Sequence, residues 1–163
     1  MPYVLDANTL IQAKNEYYAF DICPGFWEFL DAANASGDVS SIEPIADELQ
    51  KGQDDLATWA ATRRRTFFQP LDAAAHAEMT IVAAWVQQQD FRDDAKRVFL
   101  AGADPFLIAF AKAHGLTVAS HEVHVEGQKN KVKIPTVCQA LGVPCVRTFA
   151  MLRDVGARFV FEK

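Results

Sequence analysis

The chain has 163 residues, of which 50% are hydrophobic and 23% charged, and its formal net charge is −5. This length is enough for one domain with its own core, and the composition is typical of a globular protein. The acidic balance gives no overall attraction to nucleic acid, although a local basic stripe would be enough for binding. We therefore expect a single domain over residues 1–163.

Other features of the sequence argue against whole classes of protein. Three cysteines at irregular spacings favour reduced thiols over a disulfide framework. Asp6 interrupts the N-terminal apolar run, which argues against a signal peptide. No apolar run approaches the roughly 20 residues of a membrane helix. We expect a cytoplasmic protein that makes no contact with a membrane.

Short apolar runs alternate with amphipathic stretches along the chain. The runs predict strands at residues 3–5, 39–42, 66–69, 116–119 and 144–146. The stretches predict helices at about 8–18, 25–35, 43–51, 54–65, 72–89, 92–100, 104–113, 135–141 and 148–155. Residues 123–133 are a hairpin or mobile loop, and residues 159–161 are an edge strand or a packing arm. This alternation predicts a three-layer α/β/α sandwich with a short, mainly parallel central sheet.

Several residues mark the predicted helix ends. Asn8 or Thr9 can cap the first helix, and Asp104 before a proline can cap another. Arg63, Arg64 and Arg65 fall in the last turn of the helix at 54–65, where cations suit the helix dipole.

Acidic residues accompany strand ends at four places. Asp6 ends the first strand, Glu48 lies about one turn into the helix after the second, Asp104 starts a helix, and Glu122 follows a late strand. Right-handed crossovers bring the ends of parallel strands to one edge, so the four can converge. Each alone is better explained as a helix cap or a solvated helix residue. Together they indicate a Mg²⁺ or Mn²⁺ site, because clustered carboxylates repel unless a cation offsets their charge.

A family resemblance is carried by four motifs in order: Leu5-Asp6-Ala7-Asn8-Thr9, Ala46-Asp47-Glu48-Leu49-x-x-Gly52, Gly102-Ala103-Asp104-x-x-Leu107-Ile108-Ala109-x-Ala111 and Thr117-Val118-Ala119-Ser120-x-Glu122. With these motifs the chain resembles the PIN domains, metal-dependent ribonucleases that include the VapC-type toxins of toxin–antitoxin pairs. Its middle part most resembles a bacterial and archaeal PIN-like subgroup of undetermined function. The resemblance implies an RNA substrate, a small antitoxin partner and a homodimer.

The resemblance also implies roles for single residues. It implies catalytic metal ligands at Asp6, Glu48, Asp104 and Glu122, with Asn8 and Ser120 in support. Glu122 stands where the family more often has aspartate. The implied reaction is hydrolysis of single-stranded RNA that leaves 5′-phosphate and 3′-hydroxyl ends. One Mg²⁺ would lower the pKa of a bound water, and a second, nearer Glu122, would stabilise the leaving 3′-oxygen.

The dense basic groups are candidate RNA contacts. They are Arg63, Arg64 and Arg65 in one group and Lys129, Lys131 and Lys133 in the other. The lysines alternate, so on a strand their ammonium groups would face one way, close behind Glu122. A solvated loop is the alternative interpretation of that segment.

Three other interpretations of the sequence remain open. The chain could be a PIN-fold binding or assembly module with a weak metal site. It could be a phosphatase of the haloacid-dehalogenase kind that forms an aspartyl phosphate on Asp6, although Asn8 replaces the second acid of that pattern. His121 and His124 with Cys138 and Cys145 suggest zinc, but neither spacing is that of a usual zinc pair.

Overall fold

The computed structural model describes residues 2–163, which form a parallel five-stranded sheet in the order β3-β2-β1-β4-β5. The first half of the chain contains β1 (Tyr3–Leu5), α1 (Ala7–Gln12, continued by a π-helical segment Ala13–Tyr17), α2 (Pro24–Ala35), β2 (Val39–Ile42), α3 (Glu43–Gln50), α4 (Asp55–Thr62) and β3 (Phe68–Gln69). The second half contains α5 (Ala73–Gln88), α6 (Asp93–Ala101), α7 (Asp104–His114), β4 (Thr117–Ser120), α8 (Ile134–Leu141), β5 (Cys145–Arg147) and α9 (Thr148–Val155). The predicted α/β sandwich is confirmed.

Strand β1 is the centre of the sheet. It pairs in parallel with β2 on one side, where Tyr3 lies opposite Val39, and with β4 on the other, where Leu5 lies opposite Ala119. All three residues of β1 are buried. A parallel strand covered on both faces reads as a continuous apolar run, which is why Tyr3 to Leu5 lack polar alternation.

Helices cover both faces of the sheet because the chain crosses it in two directions. The connections from β1 to β2 and from β2 to β3 run one way, and those from β3 to β4 and from β4 to β5 run the other. Right-handed crossovers place these two groups of helices on opposite faces. Accordingly α1 packs with α3 and α3 with α4, while α7 packs with α5, α6 and α8. None of the helices in residues 2–163 is long and apolar enough to span a bilayer.

An aromatic cluster fills the layer that contains α2 and α4. Its members are Tyr18, Phe20, Phe26, Trp27, Trp59, Phe67, Phe68 and Phe159. Phe20 stacks on Trp27 at 4.1 Å between ring centroids, and Tyr18 stacks on Phe26 at 4.4 Å. Of the predicted edge strand or packing arm at residues 159–161, Phe159 packs in this cluster, Val160 and Phe161 are exposed, and no strand forms.

The structure corrects several predicted boundaries. The N-cap of α1 is Asp6, not Asn8 or Thr9, and the N-cap of α7 is Ala103, not Asp104. Helix α4 ends at Thr62, before the three arginines, and β3 is reduced to two residues. Residues 121–133 contain neither helix nor strand. The alternation of the lysines in that segment is therefore not the alternation of a strand.

Candidate active site

The candidate site lies where the strand order reverses. From β1 the chain continues to β2 on one side, and it later returns to β4 on the other. The carboxyl ends of β1 and β4 carry Asp6 and Ser120 side by side. In open parallel sheets, ligands bind in the crevice at such a reversal.

Asp6 is buried, with 1% of its surface exposed, and both of its carboxylate oxygens have partners. Oδ1 accepts the Thr9 backbone N–H at 2.8 Å, and Oδ2 accepts the Ser120 hydroxyl at 2.7 Å. The pKa of Asp6 is raised above its ordinary value, and burial is the largest cause. The hydrogen bonds from Thr9 and Ser120 lower this pKa in part, and the charge of Glu122 raises it further. Asp6 therefore caps α1 and also presents a carboxylate at the sheet edge.

Two threonines that the sequence did not single out as site residues support this arrangement. The Thr9 hydroxyl contacts the Thr148 hydroxyl at 3.2 Å and donates to the Ala119 carbonyl at 3.4 Å. Thr9 stands within the first motif, which was the available signal, whereas no motif marks Thr148. Asn8, predicted to support the site, is exposed on α1.

Asp104 is the first residue of α7, and its carboxylate makes no capping hydrogen bond there. Its pKa is raised to about 7, first by burial and then by the negative charges of Asp6, Glu122 and Glu48, with Lys131 opposing them. The four predicted acids are thus close enough for each of the other three to act on Asp104. The interpretation of Asp104 as a plain N-cap is wrong.

Glu48 connects α3 to the start of α7. Its Oε1 accepts the backbone N–H of Ala103 at 2.9 Å, so Glu48 supplies the capping bond that Asp104 does not. A side chain on Gly102 would place its Cβ 3.3 Å from this oxygen. The small residue at position 102 therefore leaves room for Glu48.

Glu122 is held by the segment that follows it. Its Oε2 accepts the backbone N–H of Ile134, the first residue of α8, at 2.8 Å, and its Oε1 lies 3.4 Å from Nζ of Lys131. Its own N–H donates to the Ser120 hydroxyl oxygen at 3.1 Å. Ser120 thus connects Glu122 to Asp6, as expected for a supporting residue.

A cavity of about 290 Å³ opens beside two of these acids, Glu48 and Asp104. Glu48, Asp104 and Lys131 line it on the polar side, and Val98, Phe99 and Val132 are among its apolar lining residues. A cavity lined by both charged and apolar side chains can receive a ligand that is partly apolar and partly charged.

The arginine group does not join the acids. Arg63 forms a two-point ion pair with Asp31 at 2.6 and 2.7 Å, and Arg64 pairs with Asp47 at 2.7 Å. The group precedes β3, and the acids with which it pairs, Asp31 and Asp47, are not among the four of the site. RNA binding by Arg63, Arg64 and Arg65 stays a prediction.

The lysine group divides. Lys129 lies over the Phe91 ring at 5.8 Å, and Lys133 donates to the Val123 carbonyl at 3.2 Å. Lys131 alone of the three lines the cavity beside the acids. The sequence pattern treated the three lysines alike, whereas the irregular backbone of residues 121–133 separates them.

The two histidines have other partners, and the cysteines Cys138 and Cys145 are free thiols. The His124 ring contacts the Thr136 hydroxyl at 2.7 Å and Glu126 at 3.0 Å, and the His121 ring packs on Tyr17 and Phe149. Within residues 2–163, no three His, Cys, Asp or Glu side chains are already gathered in a geometry that could hold a metal ion.

The chemistry of the four acids nevertheless fits a divalent cation. Their ligands are hard carboxylate oxygens, which Mg²⁺ and Mn²⁺ prefer. Burial raises the pKa of Asp104 most, and the negative charges of Asp6, Glu122 and Glu48 raise it further. A bound cation would provide the missing positive charge.

A family model described as a domain of unknown function (DUF4411) matches residues 3–159. Among solved structures, the fold is similar to VapBC2 from Rickettsia felis bound to a DNA fragment from their promoter (TM-score 0.59, 12% identity, 90% of this chain and 98% of that chain). It is also similar to FitAcB from Neisseria gonorrhoeae (TM-score 0.52, 17% identity, 88% of this chain and 95% of that chain). A further similar structure is FitAB bound to an IR36 DNA fragment (TM-score 0.52, 15% identity, 89% of this chain and 94% of that chain). No curated protein sequence matches the chain.

VapBC and FitAB are toxin–antitoxin complexes whose toxin is a PIN-domain protein. The likeness covers about nine-tenths of this chain, which confirms the PIN-like fold implied by the four motifs. The family match from Tyr3 to Phe159 shows that the chain belongs to the DUF4411 family, with a fold of the PIN-like type.

Proposed function

We propose that this chain is a metal-dependent ribonuclease that acts as the toxin of a toxin–antitoxin pair. The observation that carries the proposal is the convergence of Asp6, Glu48 and Glu122 on Asp104, at the point where the strand order reverses. Asp6, Glu48 and Glu122 each accept a backbone N–H at a helix start, whereas the Asp104 carboxylate has no such structural bond. The likeness of the fold to VapBC2 and FitAB supports the assignment to a toxin.

In this proposal Asp6, Glu48 and Asp104 hold one Mg²⁺ or Mn²⁺. A bound cation of this kind would supply Lewis-acid chemistry, by polarising the phosphodiester and lowering the pKa of the attacking water. Ser120 and the Thr9 N–H fix the Asp6 carboxylate, as partners of metal ligands commonly do. The Ala103 N–H does the same for Glu48.

The lining of the cavity beside Glu48 and Asp104 supports single-stranded RNA as the substrate class of this proposal. A nucleotide unit of single-stranded RNA has apolar base faces and a negative phosphate, which match the apolar residues and Lys131 respectively. Cleavage needs no nucleophilic side chain. We expect products with 5′-phosphate and 3′-hydroxyl ends.

The test is Mg²⁺-dependent cleavage of single-stranded RNA by Asp104→Asn. We expect cleavage to fall by about 100-fold or more, because a ligand of the cation is lost. Asp47→Asn is the matched control, since Asp47 is an exposed acid of α3 that pairs with Arg64. Full cleavage by Asp104→Asn, with an unchanged circular dichroism spectrum, would show the assignment to be wrong.

A second candidate is a PIN-fold binding module without nuclease activity. It is favoured by the observation that, in the described residues, no three possible ligands are already gathered. A calorimetric titration with Mn²⁺ separates the two functions. Absence of binding up to millimolar Mn²⁺ would favour the module, and binding that Asp104→Asn removes would favour the nuclease.

The phosphatase interpretation is less well supported than either. It requires Asp6 to attack phosphorus, yet Asp6 is buried and both of its oxygens accept hydrogen bonds. A radiolabelled aspartyl phosphate on Asp6 would be needed to revive it.

The partners proposed are a small antitoxin and a second copy of the chain. Co-expression of this chain with the product of a small neighbouring open reading frame, followed by co-purification, tests the first. Light scattering of the isolated chain tests the homodimer.

A further inference from the structure

We infer, on the basis of the nuclease function proposed above, that the site takes one divalent cation and that Lys131 supplies the second positive charge toward the substrate phosphate. In this arrangement Glu122 is not a ligand of a cation. It anchors Lys131 and the start of α8 instead. The family resemblance implies the role of a metal ligand for all four acids. In this inference Glu122 has a different role from the other three.

Both carboxylate oxygens of Glu122 have partners in the protein. Oε2 accepts the Ile134 N–H at 2.8 Å, and Ile134 is a buried residue at the start of α8. The first N–H groups of a helix have no partner within the helix, so this bond satisfies a donor that would otherwise be unpaired. Asp6 and Glu48 also accept backbone N–H groups, so this bond alone does not distinguish Glu122 from them; the ammonium of Lys131 beside its other oxygen does.

The second oxygen of Glu122 already faces a positive charge. Oε1 lies 3.4 Å from Nζ of Lys131, and the Glu122 side chain is only 10% exposed. The Glu122 backbone is fixed as well, because its N–H donates to Ser120. Two protein groups thus hold the carboxylate, and a third holds the backbone of the same residue.

Lys131 is placed to meet a substrate. Its side chain is 56% exposed and lines the cavity together with Glu48 and Asp104. Among the residues described as lining this cavity, Lys131 is the one cation, whereas Asp94 adds a further acid. A phosphate that enters beside Asp104 would therefore meet the Lys131 ammonium.

The reaction needs positive charge at two places. The water oxygen forms a bond to phosphorus and releases a proton to solvent, and the bond from phosphorus to the 3′-oxygen breaks. The 3′-oxygen leaves with the electron pair and takes up a proton, which gives the 3′-hydroxyl and the 5′-phosphate. Negative charge develops on the phosphoryl and leaving oxygens, and a preorganised ammonium can stabilise it.

The first test is the number of Mn²⁺ ions bound per chain, measured by calorimetry on the full chain. We expect one ion in the wild type and one in Glu122→Gln, with dissociation constants that agree within about threefold, because the amide oxygen still accepts the Ile134 N–H. Asp104→Asn should lose the ion. Two ions in the wild type, one of them lost in Glu122→Gln, would overturn the inference.

The second test is the cleavage rate of Lys131→Gln. We expect kcat to fall by about 100-fold with Mn²⁺ affinity unreduced, because one stabilising charge is lost while the ligands remain. Lys131→Arg should recover most of the rate. Arg97→Gln, which removes a positive charge from an exposed position of α6, is the matched control and should cleave like the wild type. Cleavage by Lys131→Gln within about twofold of the wild type would contradict a role for this lysine.

The two proposals fail in different ways. If the wild type binds one Mn²⁺ independently of Glu122 but cleaves no RNA, the nuclease function is wrong and the one-cation site stands. If the wild type cleaves RNA and binds two ions, the nuclease function stands and the role assigned to Lys131 is wrong.

Discussion

The aromatic cluster and the carboxylate site are both largely buried. The cluster buries neutral rings and leaves Nε1 of Trp59 without a hydrogen-bond partner, whereas the site gathers acids of like charge. In the cluster, Trp27 stacks on Phe20 and donates its indole N–H to the Tyr18 carbonyl at 2.8 Å. In the carboxylate site, Asp6 and Asp104 both have raised pKa values, mainly because they are buried. Folding therefore gains free energy in the first region and loses some in the second.

This difference in burial indicates which of the two regions is the functional site. Burying apolar rings is favourable by itself, whereas burying like charges is unfavourable unless something outside the chain offsets them. Sites that violate the rules of stable packing are commonly those that bind a ligand. Variants in each region test this difference in stability.

The largest expected effect is on the aromatic cluster. Phe26 has no exposed surface and contacts the rings of Tyr18, Trp27 and Phe159. Phe26→Ala should lower the free energy of unfolding by about 3–5 kcal/mol through lost burial and a residual cavity. Urea unfolding measures this change. Phe161→Ala, at a position that is 87% exposed, should change stability by less than about 0.5 kcal/mol.

The carboxylate site should respond in the opposite direction. Without metal at pH 8, Asp104→Asn should raise the free energy of unfolding by roughly 1–3 kcal/mol, because it removes a buried charge beside Asp6, Glu48 and Glu122. Saturating Mn²⁺ should reverse the order of the two proteins, since only the wild type is stabilised by binding. A metal-free Asp104→Asn protein less stable than the wild type would contradict the comparison.

A smaller effect is expected at the other end of β1. The Tyr3 hydroxyl donates to Asp154 at 2.6 Å, and this bond, with burial, raises the pKa of Tyr3 to about 12. Tyr3→Phe should cost roughly 1–2 kcal/mol at pH 8. Because the folded pKa lies above the ordinary value of 10, the contribution is complete below pH 10 and is lost as the pH rises through about 12. Urea unfolding from pH 8 to 12 should show the two proteins converging.

Two glycine variants give the smallest and most direct comparison. A Cβ on Gly25 would lie 3.7 Å from Phe159, an ordinary contact, so Gly25→Ala in α2 should stabilise the fold by about 0.5–1 kcal/mol. A Cβ on Gly102 would lie 3.3 Å from Glu48, so Gly102→Ala should displace that carboxylate and weaken Mn²⁺ binding by about tenfold. Thermal unfolding and calorimetry measure the two effects. If Gly102→Ala and the wild type bound Mn²⁺ with equal affinity, the role of Glu48 as a ligand of the cation would be contradicted.

Much of the fold could be predicted from local patterns. The run from Tyr3 to Leu5 is apolar without alternation, as a strand covered on both faces must be. Helix ends were less predictable, because Asp6 and not Asn8 or Thr9 caps α1, and Glu48 supplies the capping bond at α7. A cap can come from a residue distant in sequence, which no local window contains.

The positions of the four acids were predictable as well, but their partners were not. Parallel strands with right-handed crossovers bring their carboxyl ends to one edge. The pairing of β1 with β4 in the structure then makes Asp6 and Ser120 neighbours. The alternation of Lys129, Lys131 and Lys133 predicted a shared face, whereas only Lys131 lines the cavity. Periodicity carries information only where the backbone is regular, and residues 121–133 are not.

The sequence by itself determined the class of fold, the central strand and the acids at its edge, because these depend on periodicities and motifs that span a few residues. The tertiary structure alone decided which oxygen meets which donor: Thr148 beside Thr9, Ile134 at Glu122 and Ala103 at Glu48. These contacts join residues 139, 12 and 55 positions apart. Such contacts form only when the packing of whole elements brings the chain segments together, and local propensity does not encode that packing.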